Sequence, residues 1–218
     1  MPITSFSIAS FSARVGGSTS GSVGNAGSSF TDLNAHLFAN GVSVPYITNP
    51  TPAQVQIGLS NPRAIVWKDA SNAYVAGMGS NNVGRFASTG QRLATINVGK
   101  GPCGLAMDAT RSRLYVYNRF DGTVSSINTA TDLVVGTTPF FDPTPSAIKL
   151  GRDVFYNAHA TSKLGIASCA SCHIDTRSDV QSWDAGDPSS TMTPFNQTCN
   201  AGLPAPANCA DWHPLKGP

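Results

Sequence analysis

The sequence predicts a mainly β chain that gives way to a small α-helical domain. Three observations carry this. Turn-forming residues are abundant and charges are scarce. A unit of about 40 residues occurs twice in succession between residues 61 and 142. Near Pro145 the strand pattern stops and a helical pattern takes over.

The composition sets the frame. Gly 21 and Pro 15, with much Ser, Thr and Asn, describe a chain of short strands and tight turns. Charged residues make up 12%, about half the usual share, while the hydrophobic 40% is ordinary and enough to build a core in 218 residues. A net charge of +2 argues against nucleic acid or an acidic membrane surface as partner. There is no run of 18 apolar residues, so no transmembrane helix is expected.

Residues 1–60 read as a low-complexity or irregular N-terminal segment. Residues 16–29, GGSTSGSVGNAGSS, cannot bury apolar surface and read as a flexible linker or loop. The first residues lack the basic start and apolar core of a signal peptide.

Residues 61–143 form the β part. Pro62 aligns with Pro102, Tyr74 with Tyr115, and Val83 with Val124, offsets of 40, 41 and 41 residues. The first unit reads as four strands, RAIVWK, NAYVAG, NVGRFA and RLATINV; the second as GLAMD, RLYVYN, TVSSIN and LVVGT. Turn chemistry separates them at Asp69–Asn72, at Asp108–Arg111 and at Asp121-Gly122. Four strands in about 40 residues is the unit of a β-propeller blade. Two blades do not close a propeller, so the expectation is a partial propeller and a chain that is a piece of something longer.

Residues 144–218 form the helical domain. Residues 146–159, SAIKLGRDVFYNAH, predict a short helix with Ser146 as N-cap and a rough apolar face of Ile148, Leu150, Val154 and Phe155. Next comes Cys169-Ala-Ser-Cys172-His173. With five cysteines and four histidines, such a chain carries this pattern by accident roughly twice in a thousand. Two thiols three residues apart on a helical turn can each add to a haem vinyl group, and the adjacent histidine becomes the axial ligand. Alternatives are a zinc half-site completed by Cys199 and Cys209 or by His213, a thioredoxin-like dithiol, and a structural disulfide. The spacing favours haem. A helix and a polar loop precede the motif, where a dithiol enzyme expects a strand.

Other residues join the expectation. His213 and Met192 are candidates for the sixth iron position, which decides between electron transfer and reaction with a small ligand. Arg152 could fork onto a haem propionate, or be a helix-surface charge. Cys199 and Cys209 enclose a Pro/Gly-rich loop and read as a disulfide in an oxidising compartment. Cys103 sits at an apolar strand start and reads as a buried free thiol. His159 reads as a solvated helix-end residue, and His36 has no assigned role. Trp183, Asp184 and Asp187 read as a solvated turn, with a haem-edge contact or a calcium loop as the functional alternatives.

Two resemblances add to this. The stretch RLYVYNRFDGTVSSINTAT (113–131) resembles the YVTN family of propeller repeats. The stretch GRDVFYNAHATSKLGIASCASCH (151–173) resembles the start of the haem domain in bacterial di-haem cytochrome c peroxidases, matching at Gly151, Arg152, Phe155, Tyr156, Asn157, Ser162, Ser168, Cys169, Cys172 and His173. Residues 177–188 and 211–218 look like elements of a subgroup in which such a propeller is fused to the haem domain. The resemblance implies a helical cytochrome c-like domain with covalent haem c. It implies one-electron transfer to a redox partner protein or a small-molecule oxidant, peroxidase-like chemistry, and a periplasmic or otherwise extracytoplasmic location. The chain carries one Cys-x-x-Cys-His where that family carries two: a fragment would have its second haem beyond Pro218, whereas a complete chain would not support the family's two-haem peroxidase chemistry. A rival expectation is a propeller-based binding or scaffold protein whose haem domain serves as a tether or sensor.

Overall fold

The computed structural model describes residues 33–38, 47 and 49–173. Its body is two four-stranded antiparallel meanders, each one repeat unit. The first has strands β1 (Pro62–Asp69), β2 (Asn72–Gly77), β3 (Asn82–Ala87) and β4 (Arg92–Asn97). The second has β5 (Pro102–Asp108), β6 (Arg113–Asn118), β7 (Thr123–Asn128) and β8 (Leu133–Pro139). Each sheet keeps its strands in chain order. This architecture is mainly β and fits a partial propeller-like fold. All eight strands fall where the sequence places them, with ends differing by one or two residues.

The repeat is structural as well as sequential. Tyr74 pairs with Arg85 in the first sheet, and Tyr115 with Ser126 in the second. Left-handed backbone recurs at matching positions: Asn61 (φ 48) and Gly101 (φ 66) precede the two prolines, while Asn81 (φ 53) and Gly122 (φ 63) precede the third strand of each unit. Asn and Gly are the residues that adopt this conformation at low cost. The carbonyls of Asn61 and Gly101 accept equivalent 3.0 Å hydrogen bonds, from the Met78 and Arg119 amides.

The core lies between the sheets. Tyr74, Val83 and Ile96 of the first pack against Leu114, Val116 and Ile127 of the second. Burying side chains of this size stabilises the fold by roughly 1.5–3 kcal/mol each. Strand β6 shows the period-2 pattern of a half-buried strand: Leu114, Val116 and Asn118 are buried, while Tyr115 and Tyr117 are exposed. Strand β2 is buried from Ala73 to Gly77, because its second face is also covered. The cover comes from Leu33 and Leu59, which join Ile65, Val75 and Phe86. Around them run a 3₁₀ turn (Ala35–Leu37) and helix α1 (Pro52–Gln56), from a region whose sequence signals were too mixed to place. Thr51 caps α1 through its side chain, which accepts from the Gln54 amide. Asn34 is buried and bridges Leu59 at both its amide and its carbonyl.

After β8 the chain forms α2 (Ser146–Tyr156), α3 (Ala158–Thr161) and α4 (Cys169–Cys172). Three expectations for α2 are corrected. Ser146 is the first helical residue and Pro145 is the N-cap; the Pro145 carbonyl accepts from the Ile148 and Lys149 amides, and no side chain caps the end. Most of the expected apolar face points outward, with Ile148 55%, Leu150 70% and Val154 67% exposed, while Phe155 is half-buried edge-on to Tyr156. The docking face is instead Lys149, Arg152, Asp153 and Tyr156, spaced as one helix side. Lys149 pairs with Asp142 at 3.1 Å, Asp153 pairs with Lys100, and Arg152 and Tyr156 lie on the Phe120 ring. The physical reason is the surface on offer. The β body presents ions and one aromatic ring there, so the polar side of the helix is the complementary one. Helix α2 also ends earlier than expected, at Tyr156. Asn157 leaves helical backbone and its side chain caps α3, accepting from the Ala160 amide. Among the described residues, no helix is long and apolar enough to cross a membrane.

Candidate haem-attachment site

The Cys-x-x-Cys-His motif forms a single helical turn. Ser168 precedes it in extended backbone, φ −132 and ψ 175, as a helix N-cap does. The Ser168 amide donates to Ser171 Oγ at 2.9 Å, and the Ser171 amide donates to the Ser168 carbonyl at 2.9 Å. The turn closes when the His173 amide donates to the Cys169 carbonyl at 2.9 Å. That i to i+4 bond stacks Cys169 and His173 on one side of the turn. The Cys169 thiol is free and exposed, and His173 is exposed. Ala170 between them is buried.

Asn61 holds this turn against the β body. Its Nδ2 donates to Ser168 Oγ at 3.2 Å, and its Oδ1 accepts from Ser171 Oγ at 3.3 Å. More than 100 residues of chain separate the partners. Asn61 does this from left-handed backbone while its carbonyl holds the Met78 amide. Nothing in the sequence marked it beyond its place before Pro62.

The segment leading to α4 is tied to the same corner. The Ala158 amide donates to the Gly79 carbonyl at 2.8 Å. His159 is half-buried, with its Nε2 3.0 Å from the Gly58 carbonyl. A carbonyl only accepts, so Nε2 carries the proton. Burial lowers the His159 pKa below its ordinary value, against the opposing effect of the Gly58 bond. This corrects the expectation of a solvated helix-end histidine: the short α3 folds the ring back under the Gly58 loop.

The other expected residues divide into two groups. Met192, His213, Cys199, Cys209, Trp183, Asp184 and Asp187 lie outside the described residues, as does the Cys172 side chain. Arg152 and Cys103 are described and come together. Both line a cavity of about 340 Å³ between the two sheets and α2. Cys103 is a free, partly buried thiol, and burial pushes its pKa up. Arg63 and Arg119 line the same cavity and were missed by the sequence reading. The repeat alignment held the signal, since it superposes Arg119 on Met78 and Arg63 on Cys103, at a common corner of both units.

The donor set fits covalent haem. An accessible thiol and an accessible imidazole stand on one capped turn, and the motif's second cysteine lies within that turn's backbone. No protein-family model matches this chain, and no curated protein matches it. Solved structures with partial similarity include the hydrazine synthase of Kuenenia stuttgartiensis, at 20% identity over 38% of this chain and 24% of that one, TM-score 0.36. The U3-55K protein is similar at 14% identity over 38% of this chain and 27% of its own, TM-score 0.34. A functionally unknown protein from Desulfotomaculum acetoxidans is similar at 21% identity over 41% of this chain and 31% of its own, TM-score 0.33. This chain therefore spans about a quarter to a third of the length of the structures it resembles.

Proposed function

We propose that residues 169–173 attach a c-type haem in an extracytoplasmic, periplasmic protein, and that the chain takes part in one-electron oxidoreduction. Cys169 and Cys172 supply the thioether sulfurs and His173 the proximal iron ligand. The haem, when bound, supplies a one-electron couple. The chain's own contribution is positioning. Asn61 fixes the turn through Ser168 and Ser171, and α2 and α3 tie the turn to the β body. The electrons pass to a redox partner protein or a small-molecule oxidant, with peroxidase-like chemistry as the specific form.

The observation that carries this reading is the exposure of Cys169 and His173 on one capped turn closed by the His173–Cys169 backbone bond. The experiment is expression in a host with the periplasmic haem-ligation machinery. A coloured product with the mass increase of one covalent haem is expected, and Cys169→Ala with Cys172→Ala removes it. A colourless product of unchanged mass defeats the proposal. The spectrum of the oxidised product then separates two chemistries: six-coordinate low-spin iron marks electron transfer, and high-spin iron that reacts with peroxide marks catalysis.

A further inference from the structure

We propose that the cavity ringed by Arg63, Arg119 and Arg152 is a binding site for a carboxylate or phosphate. Three arginines from different parts of the chain line it: Arg63 from β1, Arg119 just after β6, and Arg152 from α2. The four ion pairs among the described residues use Arg85, Lys100, Arg111 and Lys149, and none of these three. The acidic residues beside them in sequence are turned elsewhere. Asp153 pairs with Lys100, and Asp121 accepts from the Lys100 amide at 2.6 Å. Three arginines thus line one cavity whose lining holds no carboxylate, an arrangement that an anion relieves.

The remaining walls narrow the ligand class. The Phe120 and Tyr156 rings meet at a 46° tilt with centroids 4.7 Å apart, and the Arg152 guanidinium carbon lies 5.4 Å from the Phe120 centroid. The Phe120 contact and a 3.3 Å bond from Arg152 Nη2 to Thr144 Oγ1 position the guanidinium at the cavity wall, where its remaining N–H groups suit an anionic acceptor. At about 340 Å³ the cavity suits a compact ligand with one apolar side and more than one anionic oxygen pair. The shared chemistry has two sources: a free organic acid or phosphate, or the propionates of a haem attached at Cys169 and Cys172. Only the second source rests on the haem reading.

The test uses the full chain without haem, as the Cys169→Ala/Cys172→Ala variant, and the haem-loaded chain beside it. Citrate and inorganic phosphate are titrated calorimetrically at low ionic strength. Binding to the haem-free chain is expected, weakened about tenfold or more by Arg119→Gln or Arg63→Gln and partly restored by Arg119→Lys. Bound citrate is also expected to slow alkylation of Cys103, read by peptide mass spectrometry, because that thiol lines the same cavity. Unchanged affinity in the haem-loaded chain identifies a free ligand. Loss of binding on haem attachment identifies the propionates. No binding of either anion to the haem-free chain, or binding indifferent to both glutamine variants, overturns the site.

Discussion

Tyr74 Oη donates a 2.8 Å hydrogen bond to Asp132 Oδ1, joining the second strand of one sheet to the last hairpin of the other. The second carboxylate oxygen of Asp132 takes Arg85 Nε, also at 2.8 Å. The tyrosine ring is buried and its phenol titrates well above the ordinary range, first through burial and then through the Asp132 bond. The carboxylate sits in left-handed backbone, φ 58, so turn geometry and inter-sheet contact depend on one residue. Tyr74→Phe is therefore expected to cost about 1–2 kcal/mol and Asp132→Ala about 2–3 kcal/mol, the second change stranding both donors. Urea unfolding midpoints check this. Equal stability of Tyr74→Phe and the parent would show that the bond contributes nothing across the sheets.

Asn61 controls whether the Cys169–His173 turn is held. Asn61→Gly keeps the left-handed backbone and removes both side-chain bonds to Ser168 and Ser171. Local opening of α4 is then expected to become easier by about 1–2 kcal/mol, a rise of roughly five- to thirtyfold in amide exchange at Ser171 and His173. Asn61→Ala adds backbone strain of about 1 kcal/mol and exchanges faster still. Exchange rates unchanged in both variants would mean that the turn is held by other contacts.

His159 gives the fold a pH dependence. Burial lowers its pKa in the folded chain from the ordinary 6.5, so the ring is neutral in the fold over a range where the unfolded chain binds a proton. Stability from this group is complete above pH 6.5 and is lost as pH falls from there toward the folded value. His159→Gln, which retains a donor for the Gly58 carbonyl, is expected to flatten that decline. Thermal midpoints of parent and variant, measured from pH 7.5 down to 4.5, should diverge below about 6.5. Parallel curves would remove His159 as the cause.

Gly101 marks where the two units meet α2. Its φ is +66, and a Cβ there would stand 2.3 Å from the Phe120 ring. Gly101→Ala is expected to cost more than about 1–2 kcal/mol, since it adds backbone strain to a steric clash. Because Phe120 supports Arg152 and Tyr156, the variant should also release α2 from the β body. Near-ultraviolet circular dichroism, which reports the aromatic stack, checks the second effect. An unchanged spectrum would separate Gly101 from the docking of α2.

Much of this architecture was legible along the chain. Hydrophobic alternation and turn residues are local properties, so the eight strands and their two units follow from spacing alone. The Cys-x-x-Cys-His pattern is equally local, because its chemistry needs only one helical turn. What was not legible depends on surfaces built from distant residues. Ile148, Leu150 and Val154 look like a core face in sequence, yet the neighbouring surface offers Asp142, Lys100 and Phe120, and the helix turns its polar side inward.

The amino-acid order by itself thus determined the meanders, their repeat and the place of the Cys-x-x-Cys-His turn, since each rests on contacts within a few tens of residues. Tertiary structure alone decided what that turn leans on, why His159 is half-buried, and that Arg63, Arg119 and Arg152 share one cavity. Those relationships join positions from 33 to more than 100 residues apart, and only the packing of the two sheets against α2 and α4 brings them within reach of one another.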